Sequence, residues 1–267
     1  MLCMHRGIVL IDILHSFRAS IVKLHFLGTT GYHPNNQRQT ACMILPEIGV
    51  ILDAGTGIFR ARDLIQTDHL DIFLSHVHLD HCIGLTFLYD VLWEKDVSRV
   101  TVHVAVEKIK ALEEALFHTD LFPVKPNFEI RPLEPMVELA GGRRLTTIAV
   151  DHPGGAHAFR IDFEDRSMAY VTDTVAAEDA DYVTEIAGVQ TLLHECYFPD
   201  GWEDRATLTG HSCLTPVAQV AALAKAECLF LVHINPLNES SHPLDLDSVK
   251  SIFANIEVAS DQLVIDV

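Results

Sequence analysis

Cations are scarce in this 267-residue sequence: 19 lysines and arginines stand against 37 aspartates and glutamates, for a formal charge of −18 with neutral histidine. A chain so short of positive charge has no basic stripe to lay along a polyanion. A small-molecule substrate is therefore expected, and no long nucleic acid. Paired cysteines are missing as well. Cys3, Cys42, Cys82, Cys196, Cys213 and Cys228 are scattered, with no C-x-x-C pair. A chain of this size buries enough core to dispense with disulfide staples, so reduced thiols in a cytoplasmic setting are expected. Long apolar runs are absent too. Ile8 to Leu14 is short and interrupted by Asp12, neither a membrane span nor a signal peptide, so no membrane partner is expected. No repeat or low-complexity tract appears.

What remains is a largely apolar chain, 49% by composition, able to fold alone. Short runs rich in Val, Ile and Leu read as buried strands: Val22 to Leu27, Val50 to Leu52, Ile72 to Leu74, Leu145 to Val150, Met168 to Val171, Thr191 to Leu193 and Leu229 to Val232. Helical patterns fall between some of them, at Cys82 to Trp93, Lys108 to Phe117 and Pro216 to Lys225. The last has Thr215 as expected N-cap and Pro216 at the first helical position. The pattern predicts an α/β domain with mixed sheets. A single domain is expected over 21–267, preceded by an extension or edge strand over 1–20.

Five apolar runs end in a chelating or ionisable residue. They lead into Ser75-His76, Asp151-His152, Asp173, His194-Glu195 and His233. Ligands of α/β proteins gather outside the carboxyl ends of strands, so these ends can converge on one rim. The densest cluster is Ser75-His76-Val77-His78-Leu79-Asp80-His81, where His76, His78, Asp80 and His81 fall within six residues. Imidazole and carboxylate together suit zinc, iron or manganese. Four such groups fill one tetrahedral ion. With His152, Asp173 and His233 added, the set is enough for two ions that share a carboxylate and leave a position for water.

The pattern H-x-H-x-D-H, followed by a later His, an Asp and a final His, resembles the metallo-β-lactamase superfamily over nearly the whole chain from Ile21. The resemblance implies a four-layer αββα sandwich with the metals at one edge. It implies His76, His78 and His152 on one metal, Asp80, His81 and His233 on the second, and Asp173 between them. Two divalent ions are expected, zinc preferred and manganese second. Asp53, in Leu52-Asp53-Ala54-Gly55, matches the first conserved aspartate of the superfamily and is expected to orient the histidine loop.

Within the superfamily, His194-Glu195-Cys196 resembles the H-E-A segment of ribonuclease Z and its phosphodiesterase relatives, and Gly210-His211-Ser212-Cys213 resembles their G-H-S-T segment. The resemblance implies a relay in which His211 protonates the leaving oxygen and Glu195 orients it. Asp80, His211 and Glu195 are thus the expected catalytic residues, acting beside a hydroxide formed between the metals. Only 21 positions separate His152 from Asp173, and His157 to Asp173 reads as two strands and a tight turn. That leaves no room for the arm with which ribonuclease Z grips transfer RNA. The expected activity is hydrolysis of small cyclic or linear phosphodiesters. A thioester or lactone hydrolase on the same metals and a metal-loaded sensor remain open, as does a homodimer. The Gly154-Gly155 pair reads as either a tight turn between strands or a place where the backbone approaches a ligand, and His118 to Pro126 as either a wall over the pocket or ordinary packing.

Overall fold

The computed structural model describes residues 21–240 and 242–267. The extension expected over 1–20 lies outside the described residues. Among the described residues the strands are β1 (Lys23–Gly28), β2 (Cys42–Leu45), β3 (Val50–Leu52), β4 (His69–Phe73), β5 (Arg99–Val104), β6 (Glu129–Pro132), β7 (Met136–Leu139), β8 (Arg143–Val150), β9 (Ala156–Asp162), β10 (Ser167–Val171), β11 (Thr191–Glu195), β12 (Cys228–Val232), β13 (Ile256–Val258) and β14 (Val264–Asp266). They form two seven-stranded sheets, ordered β14-β1-β2-β3-β4-β5-β6 and β13-β12-β11-β10-β9-β8-β7. Each sheet is antiparallel in one half and parallel in the other. The parallel runs are β3 to β6 in the first and β10 to β13 in the second.

The sheets face each other across a core that includes Phe26, Phe73, Phe159, Met168 and Tyr170. Fully burying a large apolar side chain contributes roughly 1.5–3 kcal/mol, so this layer is a main source of stability. Helical segments cover the outer faces. Ile58, Leu85 and Leu88 pack against the first sheet. Tyr182, Leu214, Val217 and Ala221 pack against the second. The order is helix, sheet, sheet, helix, a metallo-β-lactamase α/β sandwich. Covered on both faces, β3, β10 and β11 are buried at every residue, which explains why they read as continuous apolar runs.

The helical segments depart from their sequence reading. Cys82 to Trp93 breaks into a turn of α-helix at Leu79–Cys82, a 3-10 stretch at Ile83–Phe87 and a second α turn at Leu88–Val91. Lys108 to Phe117 changes pitch from 3-10 through α to π. The longest α-helix described spans Leu214–Leu223, with Cys213 at its N-cap. Thr215 is inside its first turn, and the cap comes from elsewhere. The Asp200 carboxylate accepts from the Thr215 backbone N–H at 2.8 Å and its hydroxyl at 2.7 Å. A carboxylate from 15 residues upstream satisfies the open donor, so no local cap is needed. Phe117 and Phe122 pack into the core of the first sheet, the ordinary-packing alternative. Gly154 and Gly155 form the expected turn, at φ 89° and 81°.

Candidate metal centre

All five strand ends reach the edge where the two sheets meet. Asp53 follows β3 and the histidine loop follows β4. His152, Asp173 and His233 follow β8, β10 and β12, and Glu195 closes β11. His194, its neighbour on β11, faces the other way. It is fully buried and its Nε2 meets the Tyr182 hydroxyl at 2.9 Å.

Two sets of donor atoms form. His76, His78, His152 and Asp173 place one ligand atom each within 4.8 Å of one another, and so do Asp80, His81 and His233. Asp173 joins them. Its Oδ1 lies 3.3 Å from His81 Nε2 and 3.2 Å from His233 Nε2. Its Oδ2 faces His76 Nε2 at 3.5 Å and His152 Nε2 at 3.7 Å. His233 Nε2 also lies 3.2 Å from Asp80 Oδ2.

Fixed partners behind these groups turn the donor atoms inward. His81 Nδ1 donates to Asp53 Oδ2 at 2.8 Å, and His152 Nδ1 donates to the Gly210 carbonyl at 2.8 Å. Each ring then presents the lone pair of its Nε2 to the cluster. Asp53 is fully buried and also accepts from the Ser75 backbone N–H (2.7 Å), the Ser75 hydroxyl (2.9 Å) and the Tyr170 hydroxyl (2.8 Å). The expectation that Asp53 organises the histidine loop thus has a geometric basis. Asp80 Oδ2 accepts the Tyr32 backbone N–H at 2.7 Å.

The set fits a divalent metal. His76 Nε2 is buried without a hydrogen-bond partner. His81 and His233 bring Nε2 atoms to 3.2 Å, and His152 Nε2 lies 3.3 Å from His78 Nδ1. Facing lone pairs at such distances need a cation or a proton between them. Asp53, Asp80, Asp173 and Glu195 are all buried or nearly so, and among the described residues none is paired with lysine or arginine. The demand for positive charge shows at His81. Burial opposes its protonation, yet Asp173, Asp80 and Asp53 outweigh that and raise its pKa well above the ordinary value. Positive charge must come from protons or from metal, and the nitrogen–oxygen donors suit the latter.

Beside the metal residues sits the expected pair. His211 Nδ1 donates to Glu195 Oε1 at 3.0 Å. Glu195, fully buried, is itself held by the backbone N–H groups of Thr174 and Tyr197, each at 3.1 Å. Burial disfavours the charged ring of His211. The Glu195 charge and hydrogen bond, with Asp173 and Asp80 behind, overcome this and raise its pKa. The Tyr197 ring stacks on His211 with centroids 4.8 Å apart. Burial, with nearby carboxylates, pushes the Tyr197 phenol up to about 12, so it stays protonated at neutral pH.

Backbone conformation contributes too. Asp53, Asp173 and His233 occupy the left-handed region, at φ 57°, 39° and 54°. Such conformations cost on the order of 1–3 kcal/mol each and cluster where geometry is over-determined by function. Gly31 lies flat against His233. A Cβ there would come within 2.1 Å of the imidazole Cε1. Its neighbours tie the same place down, since Thr30 Oγ1 donates to the Ile234 carbonyl at 2.6 Å and Ile234 N–H to Thr29 O at 3.0 Å.

The profile of the family described as "Beta-lactamase superfamily domain" matches residues 49–234, which runs from β3 to just past His233. The chain belongs to the beta-lactamase superfamily. Among curated members of this superfamily, Ribonuclease Z of Prochlorococcus marinus (strain NATL2A) is 37% identical, over 92% of this chain and 99% of that protein. Two solved structures share the superfamily fold at low identity. The metallo-beta-lactamase fold protein YhfI from Bacillus subtilis is 18% identical, with a TM-score of 0.76 over 92% of this chain and all of that one. Human short-form tRNase Z is 19% identical, with a TM-score of 0.68 over 91% of this chain and 98% of that one.

These relatives correct one expectation. A long nucleic acid was excluded on net charge and on the short segment between His152 and Asp173. Relatives named for RNA cleavage align over nearly the whole chain, so the exclusion is withdrawn. Net charge is a sum over the entire surface, whereas a phosphate responds to the local potential of the groups and ions around it. The β9–β10 hairpin describes one connection and not every surface that can meet RNA. No helix of the described residues is long and apolar enough to cross a membrane.

All seven expected metal residues are therefore adjacent in space, with His211 and Glu195 beside them. Sequence reasoning missed Tyr32, Tyr170, Tyr197, Gly31 and the Gly210 carbonyl. A signal existed for Tyr170. A tyrosine inside a fully buried strand must find a partner for its hydroxyl. For the backbone groups there was none.

Proposed function

We propose that this chain is a two-metal phosphodiesterase in which His76, His78 and His152 hold one ion, Asp80, His81 and His233 hold the other, and Asp173 is shared. As a member of its superfamily the chain is a metal-dependent hydrolase. The observation that carries the two-metal reading is Asp173, whose two carboxylate oxygens face different donor sets. Zinc is the preferred ion and manganese the second. Bound there, such ions supply Lewis acidity and water activated at neutral pH.

The remaining steps belong to the chain. Asp80, Asp173 and the imidazoles would hold the ions, and the positive charge held there would fix where the reacting phosphate sits. Attack by water makes one P–O bond and releases a proton to solvent, and the P–O bond to the leaving group breaks in line with it. His211 gives its Nε2 proton to the departing oxygen. Its Nδ1–H stays on Glu195, which the Thr174 and Tyr197 backbone N–H groups hold in place. The substrate class is a phosphodiester. Small cyclic and linear diesters belong to it, and RNA is retained as a candidate beside them.

The test combines metal analysis with turnover. Protein reconstituted with zinc is expected to bind two ions per chain and to cleave bis-nitrophenyl phosphate. It is then offered cyclic nucleotides and a precursor transfer RNA with a 3′ trailer, which divides the substrate class. Saturation at one ion would end the two-metal reading. Failure on every phosphodiester with full metal sites, alongside lactone or thioester turnover, would replace the reaction.

A further inference from the structure

His211 has a neighbour that the proposed reaction leaves unused. The Tyr197 ring lies nearly parallel to the imidazole, at 18°, and its centroid is 5.8 Å from that of His233. The same tyrosine forms a wall of a cavity of about 320 Å³. Ile234, Leu237 and Leu244 supply its apolar lining, and Asn235 a polar one. Ile234 directly follows His233, so one short segment serves both the metal edge and this cavity.

Tyr197 and Asn235 both line it, and each has a donor without a partner among the described residues. The Tyr197 hydroxyl makes no hydrogen bond among the described residues. The Asn235 side chain accepts the Leu237 backbone N–H at 3.0 Å through Oδ1, and its Nδ2 has no partner among the described residues. Leu237 is 83% exposed, a large apolar side chain on the cavity lining with little of it covered. Apolar walls with a few convergent donors are the usual make-up of a site for a flat organic group.

Position decides which part of a substrate would enter. His211 stands where a proton is handed to the departing oxygen, and Tyr197 is stacked directly on it. A group attached to that oxygen continues past His211 over Tyr197. We infer that the cavity bounded by Tyr197, Asn235, Leu237 and Leu244 is a subsite for the leaving group of the phosphodiester, and that it selects a planar aromatic one such as a nucleobase. The leaving alcohol keeps its oxygen, gains the proton from His211 and lies with its ring between Leu237 and the edge of Tyr197. Tyr197 Oη and Asn235 Nδ2 donate to the ring's carbonyl or nitrogen acceptors. This inference rests on the phosphodiesterase reading for the identity of the ligand.

The experiment uses the metal-loaded protein and two readouts. Calorimetry compares adenosine 5′-monophosphate with methyl phosphate. Both carry the phosphate, but only one carries a ring. Turnover compares two methyl phosphodiesters whose leaving alcohols are close in acidity, benzyl and propyl, with product analysis to read which alcohol departs. The wild-type protein is expected to bind the nucleotide at least about tenfold more tightly than methyl phosphate, and to show a lower KM for the benzyl diester at similar kcat. Leu237→Asp is at the surface and leaves the core intact. It is expected to erase most of both preferences while leaving methyl phosphate affinity unchanged, whereas Asn235→Ala, which removes a donor and no apolar wall, is expected to weaken the nucleotide preference and keep that for benzyl. Tyr197→Phe is expected to keep the benzyl preference, which needs only the ring, and to weaken the nucleotide. Equal affinity for the two phosphates in the wild-type protein would overturn the subsite, as would variants that weaken both equally. A nucleotide preference lost in Leu237→Asp, in a protein that cleaves no diester, would keep the subsite and sink the hydrolytic reading. Diester cleavage blind to the ring would do the reverse.

Discussion

The two sheets furnish the metal centre in different ways. The first contributes a single continuous loop after β4, in which His76, His78, Asp80 and His81 follow one another and Asp53 braces them from the end of the neighbouring β3. The second contributes His152, Asp173 and His233 one at a time, each from its own strand end, with Glu195 and His211 beside them. One half is thus local and the other is assembled by topology. The local half can keep its shape through short-range bonds. The assembled half depends on the register of four strands, and it carries the group that both donor sets share.

Breaking the assembled half at its centre is expected to have the largest effect. Asp173→Ala removes an oxygen from each set at once. Metal content should fall in both, and turnover should drop by more than about 10³-fold, the equivalent of several kcal/mol of lost charge stabilisation. Elemental analysis beside activity reads this. If Asp173→Ala kept both ions, the shared-carboxylate geometry would be irrelevant to binding.

His211→Ala also falls in the assembled half, yet it should leave metal content intact. Loss of a general acid typically costs about 10²–10⁴-fold. The loss should shrink for nitrophenolate, which departs without a proton, and be full for an alkoxide. A loss equal for good and poor leaving groups would remove His211 from the role of acid.

Asp53→Ala probes the brace of the local half. It frees the His81 Nδ1 proton and unpairs Ser75 and Tyr170, so metal affinity should weaken by about 10–100-fold, the usual cost of losing a group that orients a ligand. Competition with a chelator measures it. Unchanged affinity would mean that the histidine loop holds its shape by itself. Tyr170→Phe should do least. It removes one of four bonds to the Asp53 carboxylate, worth about 1.5 kcal/mol of stability, the low end for a bond to a charged group, and a thermal melt of the metal-free protein is the direct reading. A loss as large as that of Asp53→Ala would show that the brace is itself supported from the second sheet.

This division also explains what could be read from the sequence. The histidine loop was legible because its donors lie within six residues. The strands were legible because burial on both faces turns them into apolar runs, and the later ligands because each ends such a run. Thr215 was misread because the true cap, Asp200, comes from a separate loop. The helical segments over 82–93 and 108–117 have helical spacing but change pitch to follow the sheet beneath them. The Tyr32 backbone N–H and the Gly210 carbonyl carry no side-chain signature, and each reaches its partner across 48 and 58 residues. The charge argument failed for another reason. It described the whole surface, while the question concerned one edge.

The seam at Thr29 to Gly31 has a consequence in time. Thr30 and Ile234 are 204 residues apart in the chain and bonded in space, with Gly31 closed onto His233 beside them. Bringing such distant segments together is slow, because chain entropy is spent before the contact repays it. The histidine loop needs only near neighbours in the chain, and with His76, His78, Asp80 and His81 alone it offers a metal only a partial grip. Firm uptake therefore waits for the chain to close. In a refolding experiment begun with zinc present, strand formation should precede the tight, chelator-resistant fraction, and a chelator added between the two should strip the metal without undoing the sheets.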